Sequence, residues 1–365
     1  MNGAYLTFFP QFCQERINDR AWYPGFTDWD LIRSLTPDLS RRFTPYAGYY
    51  DLSLRGDIAR QFRAIAHGPW SSIALYHYYF DGHFALEEVE KFILETDESV
   101  PNFFAIWANE AWTKRWLGRA HDIIMSQNHS IDDAIVETHV SRLSRLFRHP
   151  SYAKLDGRPV FVIYAAYEVP NVAKLVRAYR TEFRRKGFDP QIGFCASYLD
   201  PSFEAQEFDF CVEFQPRLFF NVVRGVNGPR ATNIGLLLKK RLPWAYNRLT
   251  GIRDRLKRSN EVPRKYLNYS QYLALLEEDS FVHLLRETYE LPVVRSLFYS
   301  WNNFPRYRGG AVAVKHQVGE YEKFLSLANH WRSTEPWFLV NSWNEWSEGA
   351  ALEPGEISPE RYEIE

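Results

Sequence analysis

Apolar positions fall into eight short runs, each rich in β-branched and aromatic residues. They are AYLTFF (4–9), SSIALYHYYF (71–80), NFFAIWANE (102–110), PVFVIYAAY (159–167), QIGFCASY (191–198), FDFCVEFQP (208–216), VVRSLFYSW (293–301) and PWFLVNSW (336–343). Most are nearly continuous rather than alternating, which predicts parallel strands covered on both faces. Between them lie segments whose apolar residues recur at helical spacing, such as Asp57–His67, Leu86–Thr96, Asp132–Phe147 and Val172–Lys186. Eight strands alternating with helices predict an α/β protein, a single (β/α)8 barrel over residues 1–365. The alternative is a doubly wound open sheet. That fold wants a glycine-rich phosphate loop after its first strand, where this chain has FFPQF.

The polar residues favour the barrel, whose C-terminal strand ends all open on one mouth. Gln11 follows the first run, and Tyr76, His77 and Tyr78 lie in the second. Trp107, Asn109 and Glu110 end the third, with Trp112 just beyond, and Tyr164 lies in the fourth. Tyr198 closes the fifth and Glu213 the sixth; Trp301, Asn302 and Asn303 end the seventh. The eighth gives way to VNSWNEWSEG (340–349), which carries Asn341, Trp343, Asn344, Glu345, Trp346 and Glu348. Side chains alternate in facing along a strand, so at most two of Tyr76, His77 and Tyr78 point into the mouth. Trp22, Phe26 and Trp29 either wall the cleft or pack the loop after the first strand.

One region breaks the alternation. The stretch from about 217 to 292, between the sixth and seventh strands, is too long for a simple connection. Its first part, 217–265, holds 13 Lys and Arg against Asp254 and Glu261. Residues 234–259 mix these charges with leucines and Trp244, a pattern that suits an anionic membrane surface, a lipid-linked glycan or a pyrophosphate. It equally suits a solvated helical insertion packed by its leucines.

Composition narrows the functions. With 44 basic and 45 acidic residues the chain is no nucleic-acid binder by charge. Aromatics reach 17%, more than a core requires, and Tyr and Trp faces stack on sugar rings. Three cysteines are too few for a disulfide framework. No basic stretch leads into an apolar segment at the N-terminus, and no run is long enough to span a bilayer. A cytoplasmic protein is expected, peripheral at the inner membrane face if the basic segment binds lipid. No zinc spacing, EF-hand loop, H-E-x-x-H or G-x-S-x-G occurs, so neither a metal nor a cofactor is expected.

Glycosidic chemistry needs two carboxyl groups at one bond, one to protonate the leaving oxygen and one to act as base or nucleophile. Glu345 and Glu348 fit that need if both reach one pocket; otherwise Glu348 caps a helix N-terminus. Asn109, Glu110 and the aromatics are candidates for binding sugar, with core packing as the rival explanation for each. Glu213 is the rival carboxylate.

The motifs GFTDW (25–29), YYDL (49–52), YHYYFDG (76–82), WANEAWTKRW (107–116), DGRPVFVIY (156–164) and NSWNEWSEGAALEP (341–354) occur in the order found in WbsX-like proteins. The chain resembles this family, which is related to glycoside hydrolase family 99 and its endo-α-mannosidases. The resemblance runs from about Ala4 to Pro354 and is poorest in the basic insertion. It implies a (β/α)8 barrel and retaining chemistry on α-linked sugars in cell-surface polysaccharide (O-antigen or capsule) metabolism. By the same resemblance Glu345 is the base that assists attack by the sugar's own 2-hydroxyl, and Glu348 the general acid/base. WbsX-like proteins are also labelled glycosyltransferases, so transfer from a nucleotide sugar or lipid-linked donor is the closest alternative. A non-catalytic carbohydrate-binding barrel is the third. The hydrolases usually have His between the two acids, where this chain has Ser347.

Overall fold

Parallel pairing joins the strands in the order in which the chain makes them. In the computed structural model, which describes residues 3–114, 119–225, 265–307 and 310–355, the strands are β1 (Gly3–Phe8), β2 (Ser72–Phe80), β3 (Asn102–Trp107) and β4 (Arg158–Ile163). They continue as β5 (Gln191–Ala196), β6 (Phe210–Glu213), β7 (Val293–Val294 and Ser296–Phe298) and β8 (Trp337–Asn341). Each strand from β1 to β6 pairs with the next, and β8 returns to β1, with Gly3 opposite Trp337 and Leu6 opposite Val340. β7 is interrupted at Arg295. Its first half pairs with β6 and its second with β8, so one broken strand brings the edges of the sheet together and nearly closes the barrel.

Helices Arg55–His67, Glu88–Glu95, Asp133–Phe147, Val172–Arg185 and Glu320–Thr334 lie in the connections between strands, as the helical spacing predicts. The connection from β5 to β6 contains no helix. Within 217–292, the described residues form helices Arg217–Val223, Tyr269–Glu277 and Ser280–Tyr289. A short strand there, Lys265–Asn268, pairs with Val312–Lys315 from the β7–β8 connection. The basic segment 234–259 and Trp116 lie outside the described residues.

The barrel interior starts as a layer of large rings. Tyr5 of β1, Phe104 of β3, Phe210 of β6 and Trp337 of β8 touch one another across the axis, at centroid distances of 5.2 to 6.0 Å. β5 gives Gly193 at this level. A Cβ there would stand 2.2 Å from the Phe210 ring. Above this layer Thr7 Oγ1 donates to Asn341 Oδ1 at 2.8 Å, and the interior turns polar toward the C-terminal mouth. The alternation then fixes what faces the mouth. Tyr76 and Tyr78 point inward from β2, and Tyr164 follows β4 on the same side. Their neighbours His77 and Trp107 point outward, into the layer between strands and helices. All three cysteines are buried and unbridged. Among the described residues no helix is long and apolar enough to cross a membrane.

Candidate active site

The segment after β8 is built as a tight hairpin. Asn344–Glu345 pairs antiparallel with Ala350–Ala351, and a 3-10 turn, Trp346–Glu348, joins them. Residues three apart eclipse on a 3-10 turn, so Glu345 and Glu348 project to the same side. No helix follows Glu348 within the described residues, so it caps none. Gly349 closes the turn at a φ of +59°, and Asn302 backbone atoms lie 2.9 Å from where its Cβ would be. The Asn302 amide donates to the Glu348 carbonyl at 2.8 Å, which ties the turn to the loop after β7.

Both carboxylates line one cleft at the mouth. Its walls include Phe9, Gln11, Asn18, Trp22, Tyr76, Tyr78, Glu110, Trp112, Tyr164, Arg217, Trp301, Asn303 and Tyr307. At its floor Arg306, from the short helix Phe304–Tyr307, sits between the two acids. Its Nη1 donates to Glu348 Oε1 at 2.6 Å and to Glu345 Oε1 at 3.4 Å. Sharing one nitrogen at these distances, the two Oε1 atoms lie no more than about 6 Å apart, near enough to act on one bond. Nη2 donates to Asp28 Oδ2 at 3.3 Å, and the Ser347 hydroxyl donates to the same oxygen. The guanidinium lies over the Phe9 ring, 5.0 Å from its centroid. Burial opposes the charge on Arg306, but Asp28, Glu348 and Glu345 outweigh it and raise its pKa. Burial, and after it the charge of Glu348, push the Glu345 carboxyl up to about 8. On the far wall, Arg217 donates to Glu110 Oε1 at 3.4 Å and to the Tyr164 hydroxyl at 3.3 Å.

Of the residues singled out in the sequence, Gln11, Trp22, Tyr76, Tyr78, Glu110, Trp112, Tyr164, Trp301, Asn303, Glu345 and Glu348 line this cleft. The others do not, and each has a structural partner instead. His77 is fully buried between Glu90 and His139, whose other nitrogen meets the Tyr179 hydroxyl. Trp107 donates its indole N–H to the Tyr79 carbonyl. Asn109 is bonded to both backbone groups of Ala165 and to His129. Glu213, adjacent to the inward-facing Phe214, is buried and receives the Gln215 amide. Asn341 bridges Thr7 to the Gln215 carbonyl, and Asn344 clamps the backbone of Phe9. Trp343 and Trp346 spend their N–H groups on Gln61 and Glu353, and Asn302 accepts from the Phe304 amide. Ser347, in the position where the hydrolases usually have His, is buried beneath the turn and holds Asp28.

Sequence reasoning missed Arg306, Arg217, Asn18 and Tyr307, and passed over Asp28 inside the motif GFTDW. Only Asp28 carried a signal, as the acid between two residues of a recognisable motif.

The family model described as Glycosyltransferase WbsX matches residues 4–362. The chain belongs to the WbsX family. Among its WbsX-type relatives, the uncharacterized protein WxcX of Xanthomonas campestris pv. campestris is 26% identical over 359 residues in each of two strains. The alignment takes in 95% of this chain and 46% of the relative, so the chain spans about half the length of the curated relatives it matches. The WbsX barrel is also similar to the GH99 endo-alpha-mannosidase from Bacteroides thetaiotaomicron. The TM-score is 0.52 at 13% identity, over 97% of this chain and 87% of that one, for its complex with BIS-TRIS-Propane. A second structure of the same enzyme gives the same score over 96% of this chain. At that identity the likeness is one of fold.

Proposed function

We propose that this chain acts with retention on α-glycosidic linkages in cell-surface polysaccharide metabolism, with Glu345 and Glu348 as its catalytic pair. The observation that carries the reading is the shared contact with Arg306 Nη1, which brings both carboxylates to one point of an aromatic-lined cleft. Two carboxyl groups reaching one point of a cleft are what glycosidic chemistry needs, and retention is carried over from the relationship to glycoside hydrolase family 99. Glu345 then takes the proton of the sugar's 2-hydroxyl as that oxygen attacks the anomeric carbon, and Glu348 protonates the departing oxygen. Water, or a second sugar hydroxyl, opens the resulting three-membered ring with the two roles reversed. Tyr76, Tyr78, Trp112, Trp301 and Glu110 supply rings and hydrogen bonds for the sugar, as an oligosaccharide or polysaccharide substrate needs.

The family's description as a glycosyltransferase favours a second reading, in which the same pair transfers the sugar to an acceptor. One experiment separates the readings. The protein is incubated with α-linked oligosaccharides, with and without nucleotide sugars, and products are identified by mass and by NMR of the anomeric proton. Free α-configured ends establish retaining hydrolysis, and longer chains formed only with a donor establish transfer. Products of β configuration would overturn the retaining mechanism. If neither Glu345→Gln nor Glu348→Gln altered turnover in a folded protein, the pair would not be catalytic.

A further inference from the structure

Four ionisable groups from three segments, all but Glu348 buried, meet at the floor of the cleft: Asp28, Arg306, Glu345 and Glu348. One guanidinium faces three carboxylates. With all of them ionised the cluster would carry two net negative charges out of water, a cost that a single bound proton removes in large part. The hydrogen bonds decide where that proton sits. Asp28 Oδ2 receives both Arg306 Nη2 and the Ser347 hydroxyl. Glu348 receives the short contact from Nη1, at 2.6 Å, and Glu345 only the long one, at 3.4 Å. Among the described residues, Tyr307 also lines this cleft and acts on Arg306, and the phenols of Tyr76 and Tyr78 on β2 and Tyr164 after β4, each kept neutral by burial, lie near Glu345. Beyond Tyr164, Arg217 is already engaged with Glu110. Among the described donors, the shorter contacts therefore go to Asp28 and Glu348, and Glu345 keeps only the 3.4 Å one.

We propose that Arg306 is a positioning residue that assigns the single proton of the Glu345–Glu348 pair. Anchored by Asp28, it holds Glu348 as the carboxylate and leaves the proton on Glu345 in the free enzyme. The inference rests on the reading of these two residues as acid and base. The upward push on Glu345 from burial and from Glu348 points the same way. Because Nη1 already touches both acids, a small swing of the guanidinium toward Glu345 inverts the preference. The O–H bond on Glu345 then breaks, one forms on Glu348, and the pair keeps one proton throughout. The result is the distribution that catalysis needs, with Glu345 free to accept the 2-hydroxyl proton and Glu348 ready to donate. A sugar entering the cleft arms the pair by drawing Arg306 across it.

A joint neutron and X-ray structure of the free protein near neutral pH tests the assignment directly. The expected result is a deuteron on the Glu345 carboxyl and none on Glu348. A deuteron on Glu348, or on neither, overturns it. Infrared titration tests the agent. The carboxylic-acid band absent from Glu345→Gln should titrate near the value of about 8 given above. Removing the cation in Arg306→Gln should raise that midpoint, and Arg306→Lys should bring it part of the way back. An unchanged midpoint in a folded Arg306→Gln protein makes Arg306 a packing residue and overturns the proposal. Should Arg306→Gln fail to fold, Arg306→Lys carries the titration and the neutron structure decides the assignment. Neither readout uses turnover. A wild-type protein with the deuteron on Glu345 but no activity on any glycan therefore counts against the proposed function and not against this assignment.

Discussion

At the scale of single residues, the pleat decides more than residue type does. His77 stands between Tyr76 and Tyr78, yet the tyrosines line the cleft while the imidazole is sealed against Glu90 and His139. Burial and the nearby charge of His77 keep His139 neutral. Burial alone would push Glu90 up, but His77 and Arg142 outweigh it and hold this carboxyl low. Glu213 shows the opposite balance. It faces away from the cleft, its Oε2 has no hydrogen-bond partner, and burial pushes it from 4.5 to about 8. The unfolded chain releases this proton near 4.5 and the folded one near 8, so the folded state binds more protons in that window. The stability Glu213 provides is intact below 4.5 and is lost as the pH rises to about 8. Glu213→Gln keeps a neutral partner for Gln215. It should therefore match the wild type in thermal unfolding at acid pH and exceed it above pH 8 by about 2–4 kcal/mol. Inside the cleft the expected effect is on rate. Glu345→Gln and Glu348→Gln should each lower turnover of a cleaved glycan between about 10²- and 10⁴-fold with the circular dichroism spectrum unchanged. Asp28 is a strut beneath them. Asp28→Ala leaves Arg306 paired with the two glutamates but takes one hydrogen bond each from Arg306 and Ser347, and should cost about 1–3 kcal/mol in denaturant unfolding.

At the scale of elements, the eight strands were legible because each is a long apolar run covered on both sides. The runs expected at 159–167 and 208–216 are cut to Arg158–Ile163 and Phe210–Glu213, since the chain leaves the sheet at the mouth while still apolar. That overhang is where the site is built, and periodicity does not register it. β5 fits closely against β6, where Gly193 makes room for the Phe210 ring. Gly193→Ala forces the ring off Trp337 and should lose about 1–3 kcal/mol, read as a lower midpoint in guanidinium unfolding with an unchanged slope.

At the scale of the whole molecule, closure depends on a break in a strand. Arg295 interrupts β7, and its carbonyl receives the Leu339 amide at 3.0 Å. Its side chain joins Asp279 to Glu335 and lies 4.8 Å from the Trp331 ring centroid. One residue thus fastens the last helices to the seam between β6 and β8. Arg295→Ala should lower stability by about 2–3 kcal/mol, since both carboxylates are partly exposed. Hydrogen exchange should speed up first in β7 and at the β8 edge.

What the sequence determined by itself is the set of eight strands, the main helices between them, and the position of Glu345 and Glu348 just after the last strand. These follow from local periodicity and from residues near each other in the chain. Tertiary structure alone decided that Asp28, Arg306, Glu345 and Glu348 share one pocket floor. They come from three segments, with 278 residues from Asp28 to Arg306 and 39 from Arg306 to Glu345, and nothing in FPRY marks its arginine. The same structure removed His77, Trp107, Asn109 and Glu213 from the cleft. A side chain's direction depends on where its strand enters the pleat, and that register is set by pairing with other strands.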